Sequence, residues 1–406
     1  MKSGNNNGIK SLFGFNSIYL GTNYLWISFE TLILPLEVEN AVPFIYSGLY
    51  LGIVAFIGGL SAIAGNIASG VVGDHLHMQG AQRSIIVLFG SFMSITGILL
   101  SIPFYRIYAG IVISFALLQF FSNVAIGSTQ PLLTETVESE KRGISSGING
   151  LYTLIGSAAG FGITSFSLTN FPFSISVILI AIAMMATGSL SYLSVIRRKK
   201  IPVRIEEQEE KVQQIENNEK RLKILTAGSL FVFMGIMGLT YFEFYFFKVI
   251  LNVSNPEILI GIAGILILAL SSVSSIVVGR YSDRIGRMRI LIISATVSAI
   301  PTFMIPYFRS YDLFLVLGGI LGASYGSYYS VSMALAGDLA NAKKAGTHLS
   351  IFNLSLSGAS TISPLIYGFI LYLFRNHQIL SFHILFSTSS IFYLAGGLIL
   401  YLLYRK

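Results

Sequence analysis

The sequence predicts an all-α membrane protein of twelve transmembrane helices in two pseudo-symmetric six-helix bundles. Three observations carry that prediction: a scarcity of charge, long charge-free stretches, and two landmarks that recur in the second half of the chain. Only 11% of the 406 residues are charged and 53% are hydrophobic. Soluble domains carry roughly 25% charged residues, because water must solvate their surface. Here lipid must cover much of that surface instead. Forty glycines fit the same setting, since small residues let membrane helices approach closely.

The spans follow in order from the stretches free of Asp, Glu, Lys and Arg, set against the roughly 20 apolar residues a bilayer crossing needs. The first apolar run, from Ser11 to about Leu36, is too long for a cleavable signal and reads as span one. The charge-free stretches are 11–29, 40–73, 84–105, 107–134, 143–196, 224–242, 258–279, 290–308, 313–337, 345–374 and 376–404. The 54 residues of 143–196 must hold two spans, with Asn170, Phe171 and Pro172 at the turn, so eleven stretches give twelve spans. Pro35, Pro43, Pro103, Pro172, Pro256 and Pro306 fall at or beyond span ends, where no helical hydrogen bond is lost.

Loop charge sets orientation. With the N-terminus inside, 22 of the 26 basic residues lie inside and only Arg106, Lys248, Arg309 and Arg375 lie outside. Both termini are therefore predicted to be cytoplasmic, in a multi-pass protein of the cell membrane. The net charge of +8 belongs to this bias, so the expected partner surface is membrane lipid and not nucleic acid. Residues 197–223 carry 15 charges and separate six spans from six. The predicted organisation is an N-terminal bundle (1–196), a charged cytoplasmic linker (197–223) and a C-terminal bundle (224–406).

The halves repeat. Gly70-Val71-Val72-Gly73-Asp74 follows span two, and Gly279-Arg280-Tyr281-Ser282-Asp283-Arg284-Ile285-Gly286-Arg287 follows span eight, with the aspartates 209 residues apart. Glu135 leads to Lys141-Arg142-Gly143 after span four, and Asp338 leads to Lys344-Ala345-Gly346 after span ten, both offset by 203.

With these residues the chain resembles the major facilitator superfamily, whose signature loop lies between spans eight and nine as Gly279, Asp283, Arg284, Gly286 and Arg287 do here. The resemblance covers the whole chain and implies two six-helix bundles that alternate access to a central cavity. The first copy departs from the pattern: His75 stands where arginine is usual and the glycine comes late, at Gly80, with Arg83 after it. That spacing is similar to the longer loop of the sucrose and glycoside symporters, although most of their basic run is missing. The departure predicts that the first latch is the less complete of the two. An aspartate at one helix end can accept from exposed N–H groups of another helix, and neighbouring arginines can pair with Glu135 or Asp338. The resemblance makes Gly70, Asp74, Arg83, Glu135, Arg142, Gly279, Asp283, Arg284, Gly286, Arg287 and Asp338 a cytoplasmic gate that ties the halves together. The plain alternative is that these charges only set topology.

Ionisable groups inside spans cost at least roughly 2.5–3.5 kcal/mol at a helix centre and so face a cavity or a partner. Glu30 in span one and Glu243 in span seven are the two that stand out. At 100° per residue Asn16, Tyr19, Asn23, Trp26 and Glu30 fall on one face of span one. Span four places Gln119, Asn123 and Gln130 on one face, span seven has Thr240, Glu243 and Lys248, and span ten offers Tyr325, Tyr329 and Ser332 with Ser324 and Tyr328 beside them. In the resembled family spans one, four, seven and ten line the cavity. Asn23, Trp26, Gln119, Asn123, Tyr325 and Tyr329 are the expected substrate contacts, and Glu30 and Glu243 the expected proton carriers.

The expected function is secondary active transport of a small polar organic solute, sugar or carboxylate-like, by proton-coupled uptake. Proton-antiport export of drug-like compounds or metabolites is the second reading; Gly147, Gly156 and Gly160 match the glycine spacing of the family's antiporters, with Phe161 where proline is expected. A transport-incompetent sensor or scaffold on the same fold is the third. No phosphate-binding Gly-x-x-x-x-Gly-Lys-Ser/Thr loop or HExxH motif occurs, no nucleophile elbow is expected, and His75 and His77 read as solvated loop residues. Cysteine is absent. Neither an enzyme nor a cofactor or metal is expected; the predicted partners are the solute, protons and lipid, and the predicted state is a monomer.

Overall fold

A computed structural model describes residues 3–76, 78, 80–196, 212–340 and 345–404. Among them there is no strand, and twelve helices of membrane-crossing length follow one another. Helix α1 is composite: Ser3–Ile27, a π-helical turn Ser28–Ile33, and Leu34–Ala41. Then come α2 (Phe44–His75), α3 (Ala81–Phe104), α4 (Tyr108–Gly127, with a short helix Thr129–Thr136 after it), and α5 (Ser139–Ala159, a π-helical turn Gly160–Thr164, and Ser165–Asn170). Helices α6 (Phe173–Ile196), α7 (Val212–Val249), α8 (Pro256–Ile285), α9 (Arg287–Met304), α10 (Tyr311–Leu339), α11 (Ala345–Leu373) and α12 (Gln378–Tyr404) complete the chain.

Three expectations shift. Helix α1 does not stop at Pro35 but runs on to Ala41. Proline removes one hydrogen bond and crowds the carbonyl four residues back; the wide π turn at Ser28–Ile33 lies where that carbonyl sits and relieves the crowding. The turn at Ser128 breaks span four, so Gln130 falls on a separate helix and is exposed. Of the charged segment 197–223, residues 197–211 lie outside the described residues, as does Lys344, and from Val212 onward the chain is already α7.

Ten of the helices are long and apolar enough to cross a membrane by composition alone. Helix α10 is as long as the others, but its glycines, serines and tyrosines keep it below that apolarity. Large aliphatics such as Ile276 and Ile391 stay over half exposed, which a lipid-facing surface explains and a water-facing one does not.

The chain forms two compact units, one of residues 1–43 and 57–205, the other of 44–56 and 206–406. In the first, α1 packs on α5 and α6, and α3 on α4 and α6; in the second, α7 packs on α11 and α12, and α9 on α10 and α12. The packing order therefore repeats six helices on, as the sequence landmarks do. The start of α2 lies in the second unit against α11, where a Cβ on Gly52 would stand 2.6 Å from the Pro364 carbonyl oxygen.

Glycine sets the closest approaches. A Cβ on Gly90 of α3 would lie 2.6 Å from the Ala125 nitrogen and 2.8 Å from the Phe121 oxygen of α4. Both obstacles are helix backbone and cannot rotate away. Gly90→Val is therefore expected to cost about 1–3 kcal/mol or more by overpacking, read as a lowered melting midpoint of the purified protein, whereas Gly150→Ala, in open space, leaves it unchanged.

Candidate functional site

Span one carries the site in the first unit. Near its middle, two π-helical turns meet: Ser28 of α1 and Thr164 of α5 share a hydrogen bond of 2.7 Å. Single π turns recur at functional positions, because the inserted residue re-aims the side chains around it. Glu30 lies in the α1 turn. The glycines of α5 permit the contact, since a Cβ on Gly156 would strike the Leu20 carbonyl and one on Gly160 would stand 2.8 Å from Ile27 Cβ. The spacing of Gly156 and Gly160 is thus accounted for by packing on α1, whereas Gly147 has open space around it.

Every member of the span-one stripe is engaged. Asn16 donates to Ser145 Oγ at 2.8 Å, Tyr19 and Thr129 share a 2.7 Å bond, and Asn23 donates to the Tyr19 carbonyl at 2.7 Å. Trp26 Nε1 donates to Ser122 Oγ at 3.1 Å. Gln119 Nε2 donates to Glu30 Oε1 at 2.9 Å; behind it Asn123 Nδ2 donates to Gln119 Oε1 at 3.4 Å and Asn66 Nδ2 to Asn123 Oδ1 at 3.0 Å.

This chain of three amides has a direction. An ionised carboxylate can only accept, so Gln119 must present its NH2 to Glu30 and its oxygen to Asn123. The same constraint then passes from Asn123 to Asn66 on α2. Gln119 and Asn123, expected to touch solute, are buried and act as supports; Asn23, Trp26 and Glu30 are half-buried and keep an open face. Asn66 and Ser122 were not singled out by the sequence, where a lone Asn in an apolar helix and one more serine carry no periodic signal.

In the second unit α10 presents an aromatic platform. Tyr325 and Tyr329 lie with ring centroids 6.1 Å apart, each 6.4 Å from Phe233 of α7. Both keep some exposure, whereas Tyr328 is fully buried and bonded to Ser229 at 2.9 Å. Phe233 is itself fully buried and fixes the two rings from behind. Glu243 is half-buried on α7. Lys248 stands over the Phe244 ring at 5.2 Å.

The predicted gate residues form two matching clusters, each made within one unit. In the first, Arg83 Nε meets Glu135 Oε1 at 3.0 Å and its Nη2 meets Asp74 Oδ1 at 3.1 Å. The Gly80 N–H donates to Glu135 Oε2 at 2.6 Å. In the second, Arg287 meets Asp283 at 2.8 Å and also pairs with Asp338. Arg83 and Arg287 are therefore equivalents, although one follows its aspartate by nine residues and the other by four. Gly80 (φ 55°) and Gly286 (φ 99°) both turn through backbone that L side chains rarely adopt, so the late glycine of the first loop does the work of the early one in the second.

Several expectations are corrected here. The first cluster is the more buried, with the Arg83 side chain 7% exposed against 22% for Arg287, so the irregular copy is not the less complete one. Arg287 carries both pairs of the second cluster, while Arg284 is an exposed residue of the last α8 turn. Arg142 donates to the Val137 and Thr134 carbonyls, at 3.2 and 3.0 Å, rather than to Glu135. Gly70 has open space where a Cβ would go, whereas at Gly279 a Cβ would meet Ser330 Oγ at 2.8 Å.

A profile of the Major Facilitator Superfamily matches residues 11–273 and 251–406. The chain belongs to the Major Facilitator Superfamily. Solved structures of the same fold include the nucleoside transporter NupG in a D323A form (13% identity, 97% of this chain and 100% of that one, TM-score 0.71). A bacterial homologue of the human lysosomal transporter Spinster matches at 10% identity, 100% and 98% coverage and a TM-score of 0.73. The POT family transporter PepTSo matches at 12% identity, 98% and 97% coverage and a TM-score of 0.76. No curated protein matches the chain. The family is one of membrane transporters that bind small molecules, and this member is a multi-pass membrane protein.

Proposed function

We propose that this family member is a secondary active transporter that takes up a small, neutral, hydroxylated solute together with protons, by alternating access of its 1–196 and 224–406 bundles. The observation that carries the proposal is the directed amide chain ending on Glu30. A fully structural carboxyl would be sealed; this one keeps an open face beside Trp26 and Asn23. When Glu30 takes up a proton it gains a donor, and Gln119, Asn123 and Asn66 are free to reverse. Protonation on α1 is thereby felt on α4 and α2. Glu243, with the Tyr325–Tyr329 platform in its unit, is the second proposed carrier.

The chemistry of the face suits a neutral, hydroxylated solute. The side chains that join the Glu30 network through Gln119 are the amides of Asn123 and Asn66. Amides and a carboxylate bond hydroxyl groups readily, and an indole gives a sugar or base ring an apolar surface. The two ion clusters hold neighbouring helix ends within each half, which suits halves that move as rigid bodies. Because packing explains Gly156 and Gly160, uptake is preferred to antiport.

The test uses glucose, uridine and lactate as probes, uridine being chosen because nucleosides are the cargo named for one structural neighbour. A bound solute at 100 times its Kd stabilises the folded state by about 2.7 kcal/mol, so glucose or uridine is expected to raise the melting midpoint and to accumulate in proteoliposomes under an inward proton gradient. Lactate is expected to do neither. Saturable binding without accumulation under any imposed gradient would make the protein a sensor on a transporter fold.

A further inference from the structure

Helix α1 carries another carboxyl, beyond Glu30, that the proposed cycle leaves unused. Glu37 lies in its last segment, Leu34–Ala41, and is only 1% exposed among Leu32, Ile33, Leu34 and Val38, all fully buried neighbours in sequence. Its Oε1 has no hydrogen-bond partner, and neither has the buried Thr31 Oγ1 one turn and a half before it. Among the described residues, Ser101 of α3 is the side chain that hydrogen-bonds it. The Ser101 hydroxyl also lies 2.8 Å from the Ile98 carbonyl, which can only accept, so whenever its hydrogen points there its oxygen faces Glu37 as an acceptor. Only a carboxyl that holds a hydrogen can donate to it.

An unpaired carboxylate oxygen in so dry a place carries a large desolvation cost, and a buried polar atom with no partner marks either water or function. Among the described residues Glu37 forms no ion pair. On its own helix the other titratable groups are Lys10, Tyr19, Tyr24, Glu30 and Glu39. Helix α4, which packs on this segment, contributes Tyr108 alone, and α3 has Arg83 at its opposite end. In the α3–α4 turn, Arg106 stands over the Tyr105 ring at 5.3 Å.

We propose that Glu37 is a buried proton-storing carboxyl loaded through Glu30, so that one helix holds both stations of the first half's proton path. The two lie seven residues apart, about 10 Å of helix rise, which is too far for direct transfer. The proposed relay between them is the unpaired Thr31 hydroxyl of the π turn. In the transfer the O–H bond breaks at the Glu30 carboxyl, which becomes the carboxylate that Gln119 bonds. An O–H bond forms at Glu37, which becomes neutral, and the charge of the pair is conserved. The proposal rests on the proton-coupled reading but is tested without any solute.

Infrared difference spectra of the purified protein provide the test. Wild type minus Glu37→Gln is expected to show, at neutral pH, the carbonyl stretch of one protonated carboxyl. Ser101→Ala keeps that band and shifts it, because one hydrogen bond is lost; this variant also serves if Glu37→Gln does not fold. In D2O the band is expected to move as the proton exchanges, and Glu30→Gln to slow that exchange about tenfold, a barrier change of about 1.4 kcal/mol. Absence of the band, or exchange at the wild-type rate in Glu30→Gln, would overturn the proposal. These spectra do not depend on cargo, so a wild type that fails to accumulate glucose or uridine would sink the uptake reading and leave Glu37 untouched.

Discussion

Arg83→Met is expected to destabilise the protein by about 3–5 kcal/mol, the cost of removing one partner from a buried pair, while Arg287→Met costs about 0–1 kcal/mol. The difference follows from burial. Glu135 is 16% exposed and faces a guanidinium that is 7% exposed, so its charge has little water to turn to when Arg83 is gone. Gly80 N–H would still bond Glu135 Oε2, leaving the other oxygen unmet. Asp283 and Asp338, at 70% and 57% exposure, are solvated with or without Arg287. Asp74, 79% exposed, belongs with them, so Asp74→Asn should be mild and Glu135→Gln severe within the same cluster. Thermal unfolding at low and high salt checks both points, since exposed pairs are screened and buried ones much less. Equal losses for Arg83→Met and Arg287→Met would show that the first cluster has no special standing.

That asymmetry ran against the sequence pattern, and the reason is instructive. Motif spacing reports how closely a loop follows its family, not how deeply its arginine is buried. The first loop is longer, yet Gly80 and Arg83 restore the turn and the pair that Gly286 and Arg287 make in the second. The twelve spans were legible because a bilayer imposes length and apolarity on every crossing. Helix α10, whose composition falls below that threshold, was still found because the charges flanking it bound a long uncharged stretch.

The site was legible in part. The one-sided stripe on span one was visible at helical periodicity, and all of its members are bonded as a common face requires. Its partners Asn66 and Ser122 were not visible, since Asn66 is the one amide of α2 and Ser122 is one more serine beside Gln119 and Asn123. Glu37 escaped for a different reason. Pro35 made the residues after it look like a loop, where a glutamate is unremarkable, whereas the π turn lets the helix continue and carries that glutamate into the dry interior. Backbone accommodation of this kind leaves no trace in hydropathy.

Glu30→Gln should abolish gradient-driven accumulation and leave solute exchange within a few-fold of wild type. Glutamine keeps the volume of the side chain and can accept from Gln119 Nε2, so the face beside Trp26 is preserved and binding with it. What it loses is the proton. A carrier that cannot take up protons still equilibrates solute across the membrane but cannot draw energy from the gradient, and accumulation falls to the passive value. Gln119→Leu separates the two roles of the network: Glu30 can still titrate, but its charged form loses a donor, so binding and coupling both weaken. Glu243→Gln and the double variant complete the set. Uptake and counterflow of whichever probe the wild type accumulates, measured in the same proteoliposomes, give the answer. Accumulation at the wild-type rate in Glu30→Gln, Glu243→Gln and the pair would remove both carboxyls from the coupling path. Loss in Glu30→Gln alone would place coupling in the first half, on the helix where the amide chain already points.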